Sequence, residues 1–273
     1  MKFTSVIVAL AYAEAALGAR FTEARRQRHA ERAAKRDVTR NSNPRLPADD
    51  SVTEGLAFDN ETQVSYSTNW AGAVLIGSGY KAVTGTFVVP TPSVPSGGSS
   101  RTEYAASAWV GIDGDTAQNS ILQTGVDFYV EGSSISFDAW YEWYPDYAYT
   151  FSGITISAGD TITVTVTATS TTAGTAVVKN VSTGKSVTHT FSGSSPGLQE
   201  LNAEWIVEDF SSGSSLVPFA DFGSVTFTDA YATTSSGTVG VTGADILDIK
   251  QSNKVLTDVT IDSSSSVTIT YTG

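Results

Sequence analysis

The side chains most suited to chemistry in this sequence are carboxylates that alternate with large aromatic residues. Trp140, Glu142 and Tyr144 alternate along one stretch, so in a strand they share one face. Glu204 and Glu208 share a face in the same way. This mixture predicts a groove with aromatic walls and partly buried acids, suited to an extended peptide or sugar chain. The segments rich in such residues are 108–127, 138–145 and 202–210.

Other catalytic chemistries lack their residues in this chain. It contains no Cys, which excludes thiolate nucleophiles, disulfide frameworks and Cys-based zinc sites. Its two His are His29 and His189, and the strand pattern around His189 is typical of a structural histidine. The turns Asp-Thr-Gly and Asp-Ser-Gly, which present the paired Asp of aspartic peptidases, are absent. The groups that remain for chemistry are carboxylates, amides and aromatic side chains.

Two further hypotheses also fit aromatic residues and acids on a β-sheet. Trp70, Trp140 and Trp143 would be the stacking platforms of a carbohydrate-binding module. Glu142 and Glu208 would be the carboxylates of a glycosidase if they lay about 5 Å or about 6.5–9.5 Å apart. The residue pattern alone leaves both hypotheses open.

The elements that must position these residues are short strands. From about residue 64 apolar and polar residues alternate, as in 161–167 and 267–271, with Gly, Ser, Pro and Asp between the runs. Such strands bury one face, which is typical of antiparallel sheet. We predict an all-β fold, an antiparallel β-sandwich of two curved sheets with a substrate groove. The other predicted strands are 70–76, 81–89, 105–113, 119–130, 134–144, 174–181, 185–191, 203–210, 224–231 and 254–261.

The N-terminal part of the chain differs in charge from the rest. Residues 1–19 combine a positive start, a brief apolar run and an Ala-rich exit, which predicts a signal peptide and a secreted, extracellular protein. Residues 20–45 carry nine basic and three acidic residues, a net +6, whereas residues 46–273 carry six and 24, a net −18. We interpret residues 20–64 as a basic propeptide and residues 65–273 as the working domain.

These charges also indicate which partners to expect. An acidic domain is a poor nucleic-acid binder, and no second apolar run is long enough for a membrane span. We expect the basic propeptide to pair with the anionic domain at neutral pH, to inhibit it, and to loosen as carboxylates become protonated in acid. Asn60 and Asn180 begin N-glycosylation sequons, and the Pro/Gly/Ser-rich stretch 90–101 is a predicted loop.

Five motifs resemble those of a known family, the eqolisins, which are fungal acid glutamic peptidases. They occur in the family's order and cover most of residues 65–273. The resemblance implies a monomeric β-sandwich endopeptidase that cleaves proteins and peptides in acid through a Gln/Glu pair, without metal or cofactor. The motifs are Asn-Trp-Ala-Gly at 69–72, Ala-Trp-Val-Gly-Ile-Asp-Gly-Asp at 108–115, Leu-Gln-Thr-Gly at 122–125, Trp-Tyr-Glu-Trp-Tyr at 140–144 and Asn-Ala-Glu-Trp-Ile-Val-Glu-Asp-Phe at 202–210.

The resemblance also implies roles for single residues. By motif position the catalytic pair is Gln123 and Glu208; Glu204 is the second candidate, because alternation does not separate the two acids. Glu208 would take a proton from the attacking water and pass it to the leaving amine. Gln123 would stabilise the oxyanion. The expected substrate-binding residues are Trp70, Trp109, Asp113, Asp127, Trp140, Glu142, Tyr144 and Phe210.

One departure from the family concerns a covalent cross-link. Relatives often carry two Cys, near the positions of Ala117 and Gln199, that form a disulfide, and this chain has neither. The roles of Gln123 and Glu208 do not depend on that bridge.

Overall fold

The computed structural model describes residue 31, residues 39–48 and residues 64–273. The predicted signal peptide and most of the predicted propeptide lie outside these residues, so the boundaries at 19 and 64 stay predictions. In 39–48 and 64–273 the structure consists of strands, turns and loops and contains no helix. The strands in chain order are β1 (Arg40–Asn41), β2 (Val64–Ser67), β3 (Trp70–Ile76), β4 (Tyr80–Val88), β5 (Glu103–Ile112), β6 (Ile121–Glu131), β7 (Ser134–Tyr144), β8 (Tyr149–Thr150), β9 (Thr161–Ser170), β10 (Ala173–Asn180), β11 (Lys185–Phe191), β12 (Asn202–Glu208), β13 (Ser211–Ser212), β14 (Ser215–Leu216), β15 (Ser224–Thr234), β16 (Gly237–Gly240), β17 (Asp245–Gln251), β18 (Lys254–Val255), β19 (Thr257–Ser263) and β20 (Ser266–Tyr271).

Two large sheets pack against each other. One has nine strands in the order β18-β17-β3-β12-β5-β6-β7-β8, with β2 paired to β17. The other has eight strands in the order β11-β10-β9-β4-β15-β20-β19, with β16 paired to β15. The pairs are antiparallel apart from β2, which runs parallel to β17. The predicted all-β antiparallel sandwich is confirmed.

Alternation decides which side chains enter the core between the sheets. In β9, Ile162 and Val164 are buried, while the Thr residues beside them are partly exposed. Trp205 enters the same core from β12, and its indole N–H donates to the Thr84 carbonyl oxygen at 2.7 Å. Each fully buried large apolar side chain contributes about 1.5–3 kcal/mol relative to an exposed one. Burial of this face therefore fixes which way β12 presents its other face.

The opposite face of the nine-stranded sheet carries the predicted site. Because Trp205 and Val207 point into the core, Glu204, Ile206 and Glu208 point the other way. A second buried cluster lies on this face and consists of Trp70, Val74, Trp109, Ile121, Trp140, Ala148, Ile206 and Leu247.

Residues 40–48, here called the N-terminal segment, lie on this second face. They belong to one compact unit, Arg40–Gly273. At the start of the segment β1 pairs with β13, which places Arg40 opposite Ser212. At its end Pro47 forms an isolated bridge with Ser67. The segment is therefore held at both ends by main-chain pairing.

Alternation did not predict β2 or β17. The sequence of β17, Asp-Ile-Leu-Asp-Ile-Lys-Gln, mixes acids into an apolar run and has no period of two. Its Asp248 is nevertheless buried, because the Thr257 hydroxyl donates to the carboxylate at 2.8 Å. That partner lies on β19, so the pattern within β17 does not reveal how the acid is accommodated.

Candidate active site

Four neighbouring strands bring the predicted residues together in rows. Residues directly opposite each other in antiparallel strands share a face, so their side chains emerge side by side. Gly111 lies at a point of close approach: a Cβ there would be 2.7 Å from Glu204 Oε1 and 2.8 Å from the Trp109 ring. A side chain at position 111 would therefore displace its neighbours. The rows across β12, β5, β6 and β7 are Glu204–Gly111–Gln123–Glu142, Ile206–Trp109–Gly125–Trp140 and Glu208–Ser107–Asp127–Asp138.

The peptide group between Ser42 and Asn43 lies between Gln123 and Glu208. Gln123 Nε2 donates to the Ser42 carbonyl oxygen at 3.1 Å. The Asn43 backbone N–H donates to Glu208 Oε1 at 3.1 Å. Two side chains from different strands thus contact the two ends of one peptide group. A donor on the carbonyl oxygen and a carboxyl group at the nitrogen are what hydrolysis of such a bond requires.

Two indole rings hold Glu208 and the N-terminal segment. Trp109 Nε1 donates to Glu208 Oε2 at 3.0 Å, so both carboxylate oxygens of Glu208 are engaged. The Trp109 ring packs edge-to-face on Trp70, with centroids 5.0 Å apart. Trp70 Nε1 in turn donates to the Asn43 carbonyl oxygen at 3.0 Å. These contacts orient the carboxylate toward the segment.

Arg40 fills a pocket made of acids and aromatic rings. Its Nε and Nη2 donate to the two carboxylate oxygens of Asp127, each at 2.8 Å, and Nη1 lies 3.3 Å from Glu142 Oε2. The guanidinium carbon lies 3.8 Å from the centroid of the Trp140 ring and 4.6 Å from that of Phe210. Arg40 is only 3% exposed. The bidentate pair and the ring faces compensate a charge that is otherwise costly to bury.

Asn69 anchors the downstream half of the segment. Its Nδ2 donates to the Pro44 carbonyl oxygen at 3.2 Å, and its Oδ1 accepts from the Leu46 N–H at 2.8 Å. Arg45 forms an ion pair with Asp115 at 2.9 Å, but its side chain remains 24% exposed. The segment is therefore fixed on both sides of the Ser42–Asn43 peptide group.

Burial shifts the acids of this face toward the protonated form. With the N-terminal segment covering the groove, burial raises the pKa of Glu208 to about 7, against the smaller opposing effect of the Arg40 guanidinium. It also raises the pKa of Glu142 well above its usual value, again opposed by Arg40. Both acids thus lose their protons at higher pH than a solvated Glu does.

Glu204 and Glu208 differ in their surroundings. Both Glu204 carboxylate oxygens are buried and lack a hydrogen-bond partner within the described part of the chain. Burial, reinforced by Asp113 and Asp115, raises the pKa of Glu204 well above its usual value. Glu208 instead contacts a peptide N–H and an indole. The geometry therefore distinguishes the two acids that alternation left open.

Asp113 contacts a loop of its own domain. Its carboxylate accepts the backbone N–H groups of residues 199–202 at 2.6–3.3 Å. Asn202 Oδ1 accepts the N–H groups of Thr116 and Ala117 at 2.9 and 3.1 Å. These bonds join residues 113–117 to residues 199–202, the two loops that contain Ala117 and Gln199.

The remaining predicted residues lie on two different faces. Tyr144 packs against the second cluster beside Trp140. Trp143, which follows the other alternation of β7, packs into the core between the sheets. Trp70, Trp140 and Trp143 therefore do not form one set of stacking platforms.

Sequence reasoning missed four residues of this site, namely Arg40, Ser42, Asn69 and Ser107. Ser107 Oγ accepts from Trp140 Nε1 at 3.1 Å and from Arg40 Nη2 at 3.2 Å. Its position two residues before Trp109 could have placed it on the site face. Asn69 opens one of the quoted motifs. Arg40 is one of nine basic residues in its stretch, and nothing in the sequence distinguishes it.

The described part of the chain contains neither a candidate metal site nor a candidate membrane-spanning helix. Across residues 39–48 and 64–273 no group of three His, Asp or Glu side chains could hold a metal ion. Over the same ranges no helix is long and apolar enough to cross a membrane.

Comparisons with known proteins relate this chain to a family of peptidases. The family model described as the peptidase A4 family matches residues 68–271. The chain is 55% identical to aspergillopepsin-2 of Aspergillus niger, over 99% of this chain and 100% of that protein. It is 44% identical to scytalidopepsin B of Scytalidium lignicola, over 78% of this chain and 81% of that protein. A crystal structure of scytalido-glutamic peptidase with a transition-state analogue inhibitor matches 75% of this chain and 98% of its own, at 44% identity and a TM-score of 0.69.

Proposed function

The chain belongs to the peptidase A4 family, the eqolisins, and is a glutamic endopeptidase; we propose that Glu208 and Gln123 are its catalytic pair. The observation that carries the proposal is the peptide group held between Gln123 Nε2 and Glu208 Oε1. A peptide substrate bound in the same way has its carbonyl oxygen on an amide donor and its nitrogen beside a carboxyl group. The matched glutamic peptidase that binds a transition-state analogue supports this use of the groove.

In the proposed mechanism Glu208 acts first as a base and then as an acid. Its ionised form takes a proton from a water molecule, whose oxygen adds to the scissile carbonyl carbon. Gln123 Nε2 donates to the oxygen on which negative charge develops. Glu208 then gives its proton to the leaving nitrogen as the C–N bond breaks. Trp109 Nε1 stabilises the ionised form of Glu208, because it donates to a carboxylate oxygen.

We also propose that the N-terminal segment belongs to an inhibitory propeptide. It covers both members of the pair, and Arg40 occupies the pocket of Asp127 and Glu142. The Arg40 guanidinium favours the ionised form of Glu142, so the two attract each other less as acid protonates that carboxyl group. Inhibition is therefore strongest near neutral pH and weakens in acid.

We also propose that the enzyme is secreted and extracellular, because residues 1–19 are a predicted signal peptide. Its proposed substrates are proteins and peptides, and its proposed working state is a monomer. Few basic residues in the domain keep its positive charge low in acid. This composition supports activity at acid pH.

Cleavage of denatured casein at pH 3 by single variants tests the catalytic pair. We expect Glu208→Gln to lose activity by about 1,000-fold or more, since it can neither accept nor return the proton. Gln123→Ala is expected to lose about 100- to 1,000-fold in kcat.

Glu204→Gln is the matched control, because Glu204 lies on the same strand and face, and it should retain activity. Circular dichroism checks that all variants are folded. Full activity of Glu208→Gln, with loss in Glu204→Gln, would contradict the assignment.

A further inference from the structure

Gln251 connects two parts of the chain that carry residues of the site. It is the last residue of β17, and its side-chain NH₂ group makes two hydrogen bonds. It donates to the Thr68 carbonyl oxygen at 2.8 Å and to Asp209 Oδ2 at 2.7 Å. Thr68 lies between β2 and β3, and Asp209 directly follows β12. A single amide group therefore joins the start of β3 to the end of β12.

The Asp209 end of this bridge holds the main chain beside Glu208. Asp209 is the next residue in the chain and is 1% exposed. Its N–H donates to the Asn69 carbonyl oxygen at 2.9 Å, and its carboxyl group accepts the bond from Gln251. Its other oxygen, Oδ1, is buried and has no hydrogen-bond partner within the described part of the chain. The bond from Gln251 therefore compensates part of the cost of burying this acid.

The Thr68 end of the bridge holds the main chain that contacts the downstream half of the N-terminal segment. The Thr68 N–H donates to the Leu46 carbonyl oxygen at 2.9 Å. Asn69 Oδ1 accepts from the Leu46 N–H at 2.8 Å. Leu46 is the fourth residue after the peptide group that Gln123 and Glu208 contact. A substrate bound in the same way has its fourth downstream residue on these groups.

We propose that Gln251 is a positioning residue, which fixes Glu208 relative to the downstream half of a bound substrate. The inference rests on the proposed role of Glu208. Pairing between β3 and β12 places Glu208 opposite Trp70, but this pairing ends there and leaves the next residues of both strands without a ladder. Gln251 supplies the connection beyond that point. Accuracy matters here, since a misplacement of about 1 Å in an active site can cost about 100-fold in rate.

Asp209 is suited to this contact at acid pH. Burial raises its pKa well above the usual value; the hydrogen bond from Gln251 opposes this shift, and the charge of Glu208 adds to it. Asp209 is therefore protonated in acid, and the carbonyl oxygen of its carboxyl group still accepts from the amide. Of the neighbouring basic residues, Lys250 has its Nζ 5.2 Å from the centroid of an aromatic ring on β2, and Lys254 is exposed on β18.

The first experiment measures kcat/KM of Gln251→Met and wild type on two quenched fluorescent peptides. Both peptides are amidated and carry uncharged downstream residues; one ends two residues after the cleaved bond, the other four. Met is unbranched like Gln but donates no hydrogen bond. We expect the wild type to prefer the longer peptide and Gln251→Met to lose about 10-fold of that preference. An unchanged preference would overturn the inference.

A ratio of two substrates separates positioning from general damage to the fold. A smaller fraction of folded enzyme lowers both values of kcat/KM equally and leaves their ratio unchanged. Lys254→Ala is the matched control, because Lys254 lies opposite Gln251 in the β17–β18 pair and is exposed. This variant should keep the wild-type preference.

Gln251→Glu tests the same bridge through pH. In acid the introduced carboxyl group is protonated and can donate one hydrogen bond to Thr68 or Asp209. As the pH rises, two acids in contact lose a proton and then repel each other. We expect the preference for the longer peptide to be nearest to that of the wild type at pH 3 and to fall toward pH 6. A preference equal to that of the wild type throughout this range would contradict the positioning role.

The casein assay separates this inference from the proposed function. If Glu208→Gln abolishes casein cleavage and Gln251→Met keeps the wild-type preference, the catalytic pair stands and the positioning role of Gln251 is wrong. If Glu208→Gln still cleaves casein, the catalytic pair itself is wrong, and the role of Gln251 falls with it.

Discussion

Replacement of Arg40 by Ala should greatly weaken the hold of the N-terminal segment on the catalytic groove. Arg40 makes two 2.8 Å bonds to Asp127, approaches Glu142 at 3.3 Å and stacks on Trp140, all at 3% exposure. Ala leaves both carboxylates without this partner when the segment is bound. Loss of one member of a buried ion pair costs about 3–5 kcal/mol. Even the lower figure weakens inhibition by about 150-fold.

The assay is inhibition of the acid-activated enzyme by synthetic peptides of residues 39–48. The enzyme cleaves a quenched fluorescent peptide, and initial rates give the inhibition constant before slow cleavage of the inhibitor matters. Arg45→Ala is the matched control, because Arg45 makes one partly exposed ion pair, with Asp115. Loss of an exposed pair costs about 0–1 kcal/mol, so the control should weaken inhibition by less than about 5-fold.

Two further arms test the cause of the effect. Arg40→Lys keeps the charge but loses the planar, bidentate contact with Asp127, so its inhibition constant should lie between those of Arg and Ala. The ratio of the Ala and wild-type constants should also fall as the pH falls, because Arg40 favours the ionised form of Glu142, which acid removes. Equal effects of Arg40→Ala and Arg45→Ala, or a ratio that does not depend on pH, would refute the reasoning.

Three other substitutions test separate parts of the structure. Trp109→Phe removes the N–H that stabilises ionised Glu208. The acidic limb of the profile of kcat/KM against pH should therefore move to higher pH by about one unit. An unmoved limb would contradict a role of this contact. Glu204 has a raised pKa in the fold, so its contribution to stability is complete below the unfolded pKa of about 4.3 and is lost as pH rises toward the folded pKa, at about 1.4 kcal/mol per unit. The free energy of unfolding, measured with urea, should therefore decrease less between pH 4 and 6 in Glu204→Gln than in the wild type. The same decrease in both proteins would show that Glu204 does not cause it. Asp113→Ala leaves four loop N–H groups without their acceptor and should lower the free energy of unfolding by about 3–5 kcal/mol, whereas a loss below about 1 kcal/mol would show that the clamp is dispensable.

The fold was largely predictable because most of its strands are local patterns. The strand containing Ile162 and Val164 alternates strictly, and burial of one face follows from that alternation alone. The strand of Asp248 could not be predicted in this way, since its buried acid is satisfied by Thr257 on another strand. A pattern within one strand cannot show a partner contributed by the next.

The site was predictable as a face but not as a set of contacts. Alternation places both Glu204 and Glu208 on one face of β12, so it does not show which of the two acids is catalytic. What separates them is the neighbouring row: Gly111 lies opposite Glu204, whereas Ser107 lies opposite Glu208. The register between strands decides that Glu204 is enclosed by its neighbours and that Glu208 contacts the peptide group of the N-terminal segment. This register depends on the pairing of the whole sheet.

The supply of positive charge makes the hold on the N-terminal segment depend on pH. Within the part of the chain that the structure describes, the ion pairs on Asp127 and Glu142 come from Arg40, which lies in the predicted propeptide. The Arg40 guanidinium lowers the pKa of Glu142, whereas the charge of Glu208 raises it. Without Arg40, Glu142 therefore keeps its proton at higher pH than with Arg40 bound. Acid, which protonates Glu142, thus favours the groove without the segment.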